Sequence, residues 1–271
     1  MLSADIHPIE RKFLPKDFAI TTWEAIEMYF KTLLDRTINN KQDLEQWLKD
    51  SSELEAVVSE EACWRQVRMT CDTENKELEE AFNYFYMEIA PKMQPYADKL
   101  NRKLVDCPFT KELDSEKYFT YLRSIKKSIE LFREANIPIT SELNVMQQQF
   151  GQIAGKMTVE VNGKEYTLQQ AGKFLESPDR KLREEVYLKV QTRRYQDRDA
   201  LNELFNKLVE KRHQIALNAD FSNYRDYKFK ELGRFDYTTQ DCINFHEAVK
   251  LHVVPLVKII YEEQRKAIGV D

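Results

Sequence analysis

The sequence predicts a mainly α-helical protein, a multi-helix array with one small β-hairpin near residues 157–168. Three observations predict this fold class. Apolar residues recur at three- and four-residue spacing through most of the 271 residues, as in amphipathic helices. Glycine is scarce, with 6 residues where average usage gives about 19, so few tight turns interrupt the helices. The pair Asn162-Gly163 separates two alternating segments and indicates a type I′ hairpin.

The amino-terminal part is predicted to be an extended lead-in followed by two helices. Residues 1–20 contain two prolines, which keep the residues before them out of the helical region. Thr21 and Glu24 have the spacing of a capping box, which places the start of the first helix at Thr21. Asn40 is suited to cap a second, long helix. The pattern leaves open a break in that helix near Ser51-Ser52.

Prolines occur inside the apolar pattern of the next helices. Thr73 is predicted to open the third helix. Pro91 and Pro95 each lack a backbone donor, so we expect a kink or break there. Ser115 is predicted to cap a further helix, which ends by Pro138. The remaining helices are predicted over 141–155, from a capping box at Thr167 and Gln170, from Ser177-Pro178, over 198–218, and from Thr238 to Gly269.

Composition indicates a folded protein with a sizeable core. The chain is 42% hydrophobic, and 41 basic against 46 acidic side chains give a net charge of −5. That sign disfavours binding to phosphate backbones, so we predict no nucleic-acid partner. We divide the chain into an amino-terminal helical segment, residues 1–135, and a helical segment with the hairpin, residues 136–271.

The four cysteines indicate a reducing compartment. Their spacing fits neither a zinc knuckle nor a secreted disulfide scaffold. The first residues contain no apolar segment typical of a signal peptide, and no long apolar segment predicts a membrane span. We therefore expect a cytoplasmic protein with no membrane partner. Cys63 and Cys71 are interpreted as small core residues.

The most conspicuous candidate for metal chemistry is the segment from His246-Glu247 to His252. It resembles the H-E-x-x-H zinc signature, in which two histidines four residues apart face one metal. Here the histidines are six apart, which separates them by about 120° around a helix. Lys250 stands where the second ligand belongs, so we predict no metal site. His7 and His213 are isolated and are interpreted as surface or core histidines.

Other chemistry-bearing residues are assigned structural roles. Acidic doublets are predicted to form solvated faces, because adjacent helix residues point about 100° apart. Arg193-Arg194 and Lys211-Arg212 have acidic neighbours, so no nucleic-acid patch is predicted. Gly151 and Gly155 form a G-x-x-x-G motif that favours close helix packing. The doublets are Glu60-Glu61, Glu79-Glu80, Glu184-Glu185 and Glu262-Glu263.

Residues 221–237 are dense in aromatic side chains. Such side chains can stack on a ligand, but core or interdomain packing is the interpretation we prefer. The chain also contains no phosphate loop, dinucleotide fingerprint or nucleophile motif. The sequence therefore predicts no catalytic, cofactor-binding or metal-ligating residue. The aromatic residues are Tyr224, Tyr227, Phe229, Phe235 and Tyr237.

Short sequence segments that follow one another along nearly the whole chain carry a resemblance to a known family. The first are Phe13-Leu-Pro-Lys-Asp-Phe18 with Trp23-Glu24, Ser52-Glu-Leu-Glu-Ala-Val57, Trp64 with Arg68-Met-Thr-Cys-Asp72, and Phe150-Gly-Gln-Ile-Ala-Gly155 before Met157-Thr-Val159. The others are Ser177-Pro-Asp-Arg180, Arg212-His-Gln-Ile-Ala216, Asn223-Tyr-Arg-Asp-Tyr227 and Gly233-Arg-Phe-Asp-Tyr237 with Phe245-His-Glu-Ala248. As a set they resemble the N-terminal half of the oligoendopeptidase F family of zinc metallopeptidases.

This resemblance implies a larger, mostly helical, zincin-type metallopeptidase with a deep channel for short unstructured peptides. The family's zinc ligands are the two histidines of H-E-x-x-H and a later glutamate, and the motif glutamate is the general base. No position in this chain matches these ligands or the motif glutamate. The resemblance therefore implies that the full-length parent binds zinc and that this chain binds none. We therefore interpret the chain as an N-terminal channel-wall portion, inactive alone. It should expose apolar surface at its carboxyl end and self-associate there.

Two functions remain open from the sequence. The first is the channel-wall portion of a zinc metallo-oligoendopeptidase that hydrolyses short peptides. The second is a non-catalytic helical module that binds a protein or peptide through its amphipathic helices and residues 221–237. The reading frame beyond Asp271 distinguishes them, because the first function requires H-E-x-x-H and a later glutamate there.

Overall fold

A computed structural model of the chain, which describes residues 10–270, confirms the helical array with one hairpin. Two five-residue π turns, Phe85–Ile89 and Val249–Val253, join α3 to α4 and α11 to α12. The helices are α1 Trp23–Asp35, α2 Lys41–Cys71, α3 Lys76–Tyr84, α4 Ala90–Asp106, α5 Ser115–Leu131, α6 Asn136–Gly155, α7 Leu168–Ala171, α8 Arg180–Gln196, α9 Arg198–Asn218, α10 Tyr224–Glu231, α11 Thr239–Ala248 and α12 Val254–Ile268. The strands are β1 Thr158–Val161 and β2 Lys164–Thr167. Within residues 10–270, no helix has both the length and the apolar character needed to cross a membrane.

Several helices begin one or two residues away from the predicted cap. Thr22, not Thr21, caps α1, because its extended backbone lets its hydroxyl accept from the Ala25 N–H at 3.3 Å. Asp114, not Ser115, caps α5. Two further predicted caps are corrected. Asn75 rather than Thr73 caps α3, and Asp179 rather than Ser177 caps α8. The caps predicted at Asn40, Thr167 and Thr238 are confirmed.

The break that the sequence left open in α2 does not occur, and α6 begins earlier than predicted. The helix α2 runs through Ser51-Ser52, since buried Leu48 and Leu54 on either side anchor it to the core against the weak helix propensity of serine. The helix α6 begins at Asn136 rather than at residue 141, with Pro138 in its first turn, where a missing N–H costs no helical bond. The division into residues 1–135 and 136–271 stays a prediction.

The helix containing Pro91 and Pro95 also continues without a break. The π turn before α4 closes with a bond from the Ala90 N–H to the Phe85 carbonyl, and Pro91 then lies in the first turn of α4. Pro95 lies inside α4. Of the two predicted alternatives, the break is wrong, because the widened turn admits the ring of Pro91 without ending the helix, while the kink stays a prediction.

The largest core lies between α1, α2, the first π turn, α4 and α5. Trp47 is 1% exposed at its centre, and its indole Nε1 donates to the Leu33 carbonyl at 2.9 Å. The ammonium group of Lys103 donates to the carbonyls of Leu34 and Arg36 at 2.6 and 2.5 Å. Since α1 ends at these residues, α4 supplies the cap that the last turn of α1 lacks.

The hairpin and α8 form a second, smaller cluster. Asn162 and Gly163 both have positive φ, 54° and 73°, which confirms the type I′ turn. The register pairs Val161 with Lys164, so Val159 and Val161 share one face of the strand. That face packs against Val186 of α8.

The helices α6 and α9 pack along one another and share a third cluster of buried side chains. Buried Asn136 donates to the Ile215 carbonyl at 3.0 Å and accepts from Asn218 at 2.7 Å. These bonds attach the start of α6 to the last turn of α9.

The segment before α1 is held by one carboxylate of α2. Glu53 accepts from the backbone N–H groups of Lys12, Phe13 and Leu14 at 2.8, 2.9 and 2.7 Å. Burial acts to raise the pKa of Glu53, but these hydrogen bonds outweigh it and leave the pKa below its ordinary value.

The segment after α9 is attached to α5 by a stacked arginine. The guanidinium carbon of Arg123 lies 4.3 Å from the centre of the Phe235 ring, and its Nη1 lies 3.3 Å from an oxygen of Asp236. One turn further along α5, Lys127 donates to the Glu231 carbonyl at 2.7 Å. These contacts attach α10 and the loop after it to the amino-terminal helices.

We expect Glu53→Gln to lower the free energy of unfolding by about 1–2 kcal/mol at neutral pH, because the amide keeps one acceptor oxygen and loses the charge. The folded-state pKa of Glu53 lies below the unfolded one, so its stabilisation is complete above the unfolded pKa and is lost as the pH falls through the folded pKa. The gap between wild type and variant should therefore shrink as the pH falls below the ordinary value of 4.5. Urea titrations followed by tryptophan fluorescence measure the free energy of unfolding and its dependence on pH. The exposed residue variant Glu80→Gln is the control. A gap that is independent of pH would contradict this account.

We expect Arg123→Lys to lower the free energy of unfolding by about 1 kcal/mol, since lysine keeps the charge but cannot stack a planar group on Phe235. Hydrogen exchange in residues 224–237 should speed up, as measured by mass spectrometry. The matched control is Arg225→Lys, because Arg225 is exposed and pairs only with its neighbour Asp226. Equal exchange in the two variants would show that the stacking does not hold this segment.

Candidate functional site

The zinc-like segment lies on the surface of the carboxyl-terminal helix. His246 and Glu247 belong to α11, His252 belongs to the second π turn, and all three side chains are exposed. The ammonium of Lys250 lies 3.4 Å from a carboxylate oxygen of Glu247. In the described residues, no three His, Cys, Asp or Glu side chains are grouped to hold a metal ion. These residues do not fit a zinc centre, and the absence of bound zinc stays a prediction.

Among residues 10–270, the remaining histidine and the cysteines belong to no group that could hold a metal ion. His213 is exposed on α9, and His7 lies outside the described residues. Cys63 and Cys71 are exposed, so their interpretation as core residues is wrong. Beyond Val57, the residues Val58 and Ala62 still pack against the main core at its edge, and Met69 is the one further buried residue of this helix. The apolar pattern predicted the helix but not the point at which its partners end.

Charged pairs on the surface satisfy one another. Arg193 of α8 pairs with Asp197, which follows the last residue of that helix, and Lys211 pairs with Glu142 of α6. Arg193 also lines an open groove of about 410 Å³ between β1 and α8, together with Lys189. Lys189 is itself paired with Glu185 at 2.6 Å, so the groove presents no unpaired cation to a ligand.

One of the two glycines in the G-x-x-x-G motif is needed for a close approach. A Cβ on Gly155 would lie 3.0 Å from the hydroxyl of Thr73, in the loop between α2 and α3. A Cβ on Gly151 would meet nothing within 4 Å. The motif therefore brings a helix end against a loop, rather than two helices together as predicted.

The aromatic segment is used in packing. The ring of Tyr227 lies 5.7 Å from Phe221 and 6.0 Å from Tyr224, and Phe229 meets Tyr237 edge-on at 5.4 Å. Burial, followed by the charge of Glu231, raises the pKa of Tyr227 to about 12. Tyr227 also packs against the buried cluster that α6 and α9 share, so its ring is used in contacts within the protein.

Glu55 of α2 and Tyr121 of α5 both have raised pKa values, although both side chains are accessible to solvent. Glu55 is accessible to solvent, yet the protein around it raises its pKa by desolvation. Burial, and next the charge of Glu55, raise the pKa of Tyr121 to about 12. Sequence reasoning did not find this pair, because the two residues lie on helices that are separate in sequence and carry no motif.

The largest unpartnered feature is the carboxyl-terminal apolar face, defined as the exposed apolar side chains of α11, the second π turn and α12. No residue between Thr239 and Ile268 is buried. Leu251 and Ile268 are 69% and 71% exposed. The face consists of Ile243, Phe245, Leu251, Val253, Val254, Leu256, Ile259, Ile260, Tyr261 and Ile268.

A polar stripe runs along one side of α12, while Glu263 and Gln264 lie among its apolar positions. Lys258, Glu262 and Arg265 lie on it, and the last two pair at 2.9 Å. The four acidic and four basic residues between Thr239 and Val270 cancel in charge. This helix therefore presents apolar surface without a net charge, as a helix of a protein interior does. The sequence predicted exposed apolar surface at this end but not the residues that form it.

Sequence models of one family match both parts of the chain. The Peptidase M3 N-terminal domain matches residues 13–132, and Peptidase family M3 matches residues 173–270. The second match contains α8 to α12, including the carboxyl-terminal apolar face. No curated protein sequence matches the chain.

Solved structures share the fold over nearly the whole chain. A structure described as an oligoendopeptidase F has a TM-score of 0.87 and 24% identity, covering 97% of this chain and 46% of its own. PZ peptidase A with an inhibitor has a TM-score of 0.87 and 23% identity, covering 96% and 46%. An oligoendopeptidase F from Bacillus anthracis has a TM-score of 0.88 and 19% identity, covering 97% and 49%.

The chain thus spans just under half the length of these structures. The identities are low, so the likeness of the structures establishes the fold, while the two sequence models establish the family. The chain belongs to peptidase family M3.

Proposed function

We propose that this chain is the amino-terminal, channel-wall portion of a zinc metallo-oligoendopeptidase that hydrolyses short peptides. Both matching sequence models describe M3 peptidases. Two structures with the same fold are described as oligoendopeptidase F, and a third is a PZ peptidase with an inhibitor. A metallopeptidase parent is consistent with each of these.

One observation carries the proposal. The helix from Thr239 to Ile268 exposes apolar side chains along its whole length, in a chain that spans under half of the structures sharing its fold. An exposed apolar patch of this kind indicates an interaction surface. A chain that forms one part of a larger enzyme has such a surface where the other part packs.

The role of the chain in this proposal is steric. Helices that form the wall of a narrow channel exclude folded proteins and bulk water, so only short unstructured peptides reach the reacting centre. The zinc ligands of the parent belong to residues outside this chain, because His246 and His252 here are exposed and ungrouped. The chain alone is therefore inactive towards peptides.

The proposed location is the cytoplasm. Cys63, Cys71, Cys107 and Cys242 are free cysteines. Unpaired thiols are typical of reducing compartments. Short cytoplasmic peptides are then the substrate class of the parent enzyme.

A non-catalytic interaction module is the second candidate. The observation that favours it is the same carboxyl-terminal apolar face, which is suited to a protein or peptide partner. The module requires no metal motif anywhere in the parent protein. The two candidates therefore differ in what the gene encodes beyond this chain.

The isolated chain is expected to bind no stoichiometric zinc and to leave short fluorogenic peptides uncleaved. Elemental analysis after gel filtration measures the metal, and peptide fluorescence measures hydrolysis. The double variant His246→Ala/His252→Ala is the control, and it should match the wild type in both assays. One tightly held zinc per wild-type chain that is lost in the double variant would contradict the proposal.

The reading frame beyond codon 271 is expected to encode H-E-x-x-H and a later glutamate. The longer protein should then cleave short peptides, and chelation or replacement of the motif glutamate should abolish cleavage. A longer protein without this motif would favour the interaction module instead.

A further inference from the structure

A second open depression, of about 460 Å³, lies beside the hairpin, between β2, α7 and the short turn after α7. It shares no lining residue with the groove between β1 and α8, and none with the carboxyl-terminal apolar face. A ligand here would therefore be independent of both. The lining residues are Lys164, Glu165, Tyr166, Gln169, Gln170 and Lys173.

Two lysines of this depression lie against the same aromatic ring. The Nζ atoms of Lys164 and Lys173 lie 5.5 and 4.6 Å from the centre of the Tyr166 ring. Within residues 10–270, the other interaction of charge that either ammonium makes is the contact of Lys173 with the Phe174 ring, at 4.9 Å. The two like charges therefore share one ring without a carboxylate partner from the described chain, and they repel one another.

The other polar groups of the depression favour an acceptor as ligand. Lys164 and Tyr166 share one face of β2, so Glu165 belongs to the opposite face, where its carboxylate accepts from the Thr158 hydroxyl. Gln170 accepts from the Thr167 N–H at 3.1 Å through its amide oxygen, which leaves its NH2 group as a donor. Donors thus outnumber acceptors on this side of the hairpin.

We propose that this depression binds a dianionic phosphate group, with Lys164 and Lys173 as its two cationic contacts. A lysine ammonium is a compact charge with three donors, and the oxygens of one phosphate group can accept from both ammonium groups at once. The net charge of the whole chain is −5, so the attraction has to come from this local pair. Since the site is open to water, the dissociation constant is expected in the millimolar range.

The test is an NMR titration of the whole chain, with the amide resonances of residues 164–173 as the readout. Inorganic phosphate and phosphoserine are the two probes, at slightly alkaline pH, where the phosphate group is mostly dianionic. Sodium chloride keeps the ionic strength constant, because salt screens exposed charges. The variants are Lys164→Gln, Lys173→Gln and the charge-conserving Lys164→Arg. Lys49→Gln, at an exposed position of α2, is the matched control for the loss of one charge.

Each of the two glutamine variants should weaken binding by about 3–10-fold, while Lys164→Arg and Lys49→Gln should bind as the wild type does. A response to phosphoserine alone would assign the site to phosphate esters, and a response to inorganic phosphate alone would assign it to the free ion. Either response supports the proposal. Shifts that do not saturate with either probe, or an equal loss in the Lys49 variant, would show screening of surface charge only and would overturn it.

Discussion

Two prolines inside long helices set the main constraint on this structure. Pro91 and Pro255 have no N–H to donate, and in a regular helix each ring would clash with the carbonyl four residues earlier. Each is preceded by a five-residue π turn whose wider ring of hydrogen bonds ends just before it. Because the helix is widened rather than broken, α3 continues into α4 and α11 continues into α12. A break at either place would redirect all the side chains that follow.

A π turn before a proline occurs in two different environments in this protein. Around Pro91 the widened turn puts Phe85 and Ile89 into the main core, where α4 also caps the end of α1 through Lys103. Around Pro255 the helix carries Leu256 and Ile260 out into solvent. The backbone geometry is therefore similar, and what differs is whether the chain supplies neighbours. The helix around Pro91 contributes side chains to the main core. The helix around Pro255 has the apolar composition of a core helix, although its side chains are exposed.

The sequence predicted the helical fold and the hairpin, but fewer of the boundaries and none of the contacts between segments distant in sequence. Asn162-Gly163 was decisive because both residues tolerate positive φ, whereas Thr21 and Thr22 are equally able to cap a helix, so spacing alone chose the wrong one. The exposure of Cys63 depends on where partner helices end, which no pattern within α2 records. Glu53 and Arg123 act across 40 and 113 positions of sequence, so their roles required the folded chain. The carboxyl-terminal apolar face was also not predictable residue by residue. Its sequence is that of an ordinary buried helix, and only the structure shows that these side chains are exposed.

The placement of the tryptophans has a spectroscopic consequence. All three belong to α1 and α2: Trp23 and Trp47 lie in the main core, while Trp64 is 51% exposed. Intrinsic emission therefore reports the melting of the amino-terminal helices, with Trp47 as its most shielded contributor. The hairpin, α9 and the carboxyl-terminal helix contribute no indole and are silent in such a signal. Fluorescence melting curves of this protein describe its first two helices and their neighbours, and the rest of the molecule has to be followed by circular dichroism or by its tyrosines.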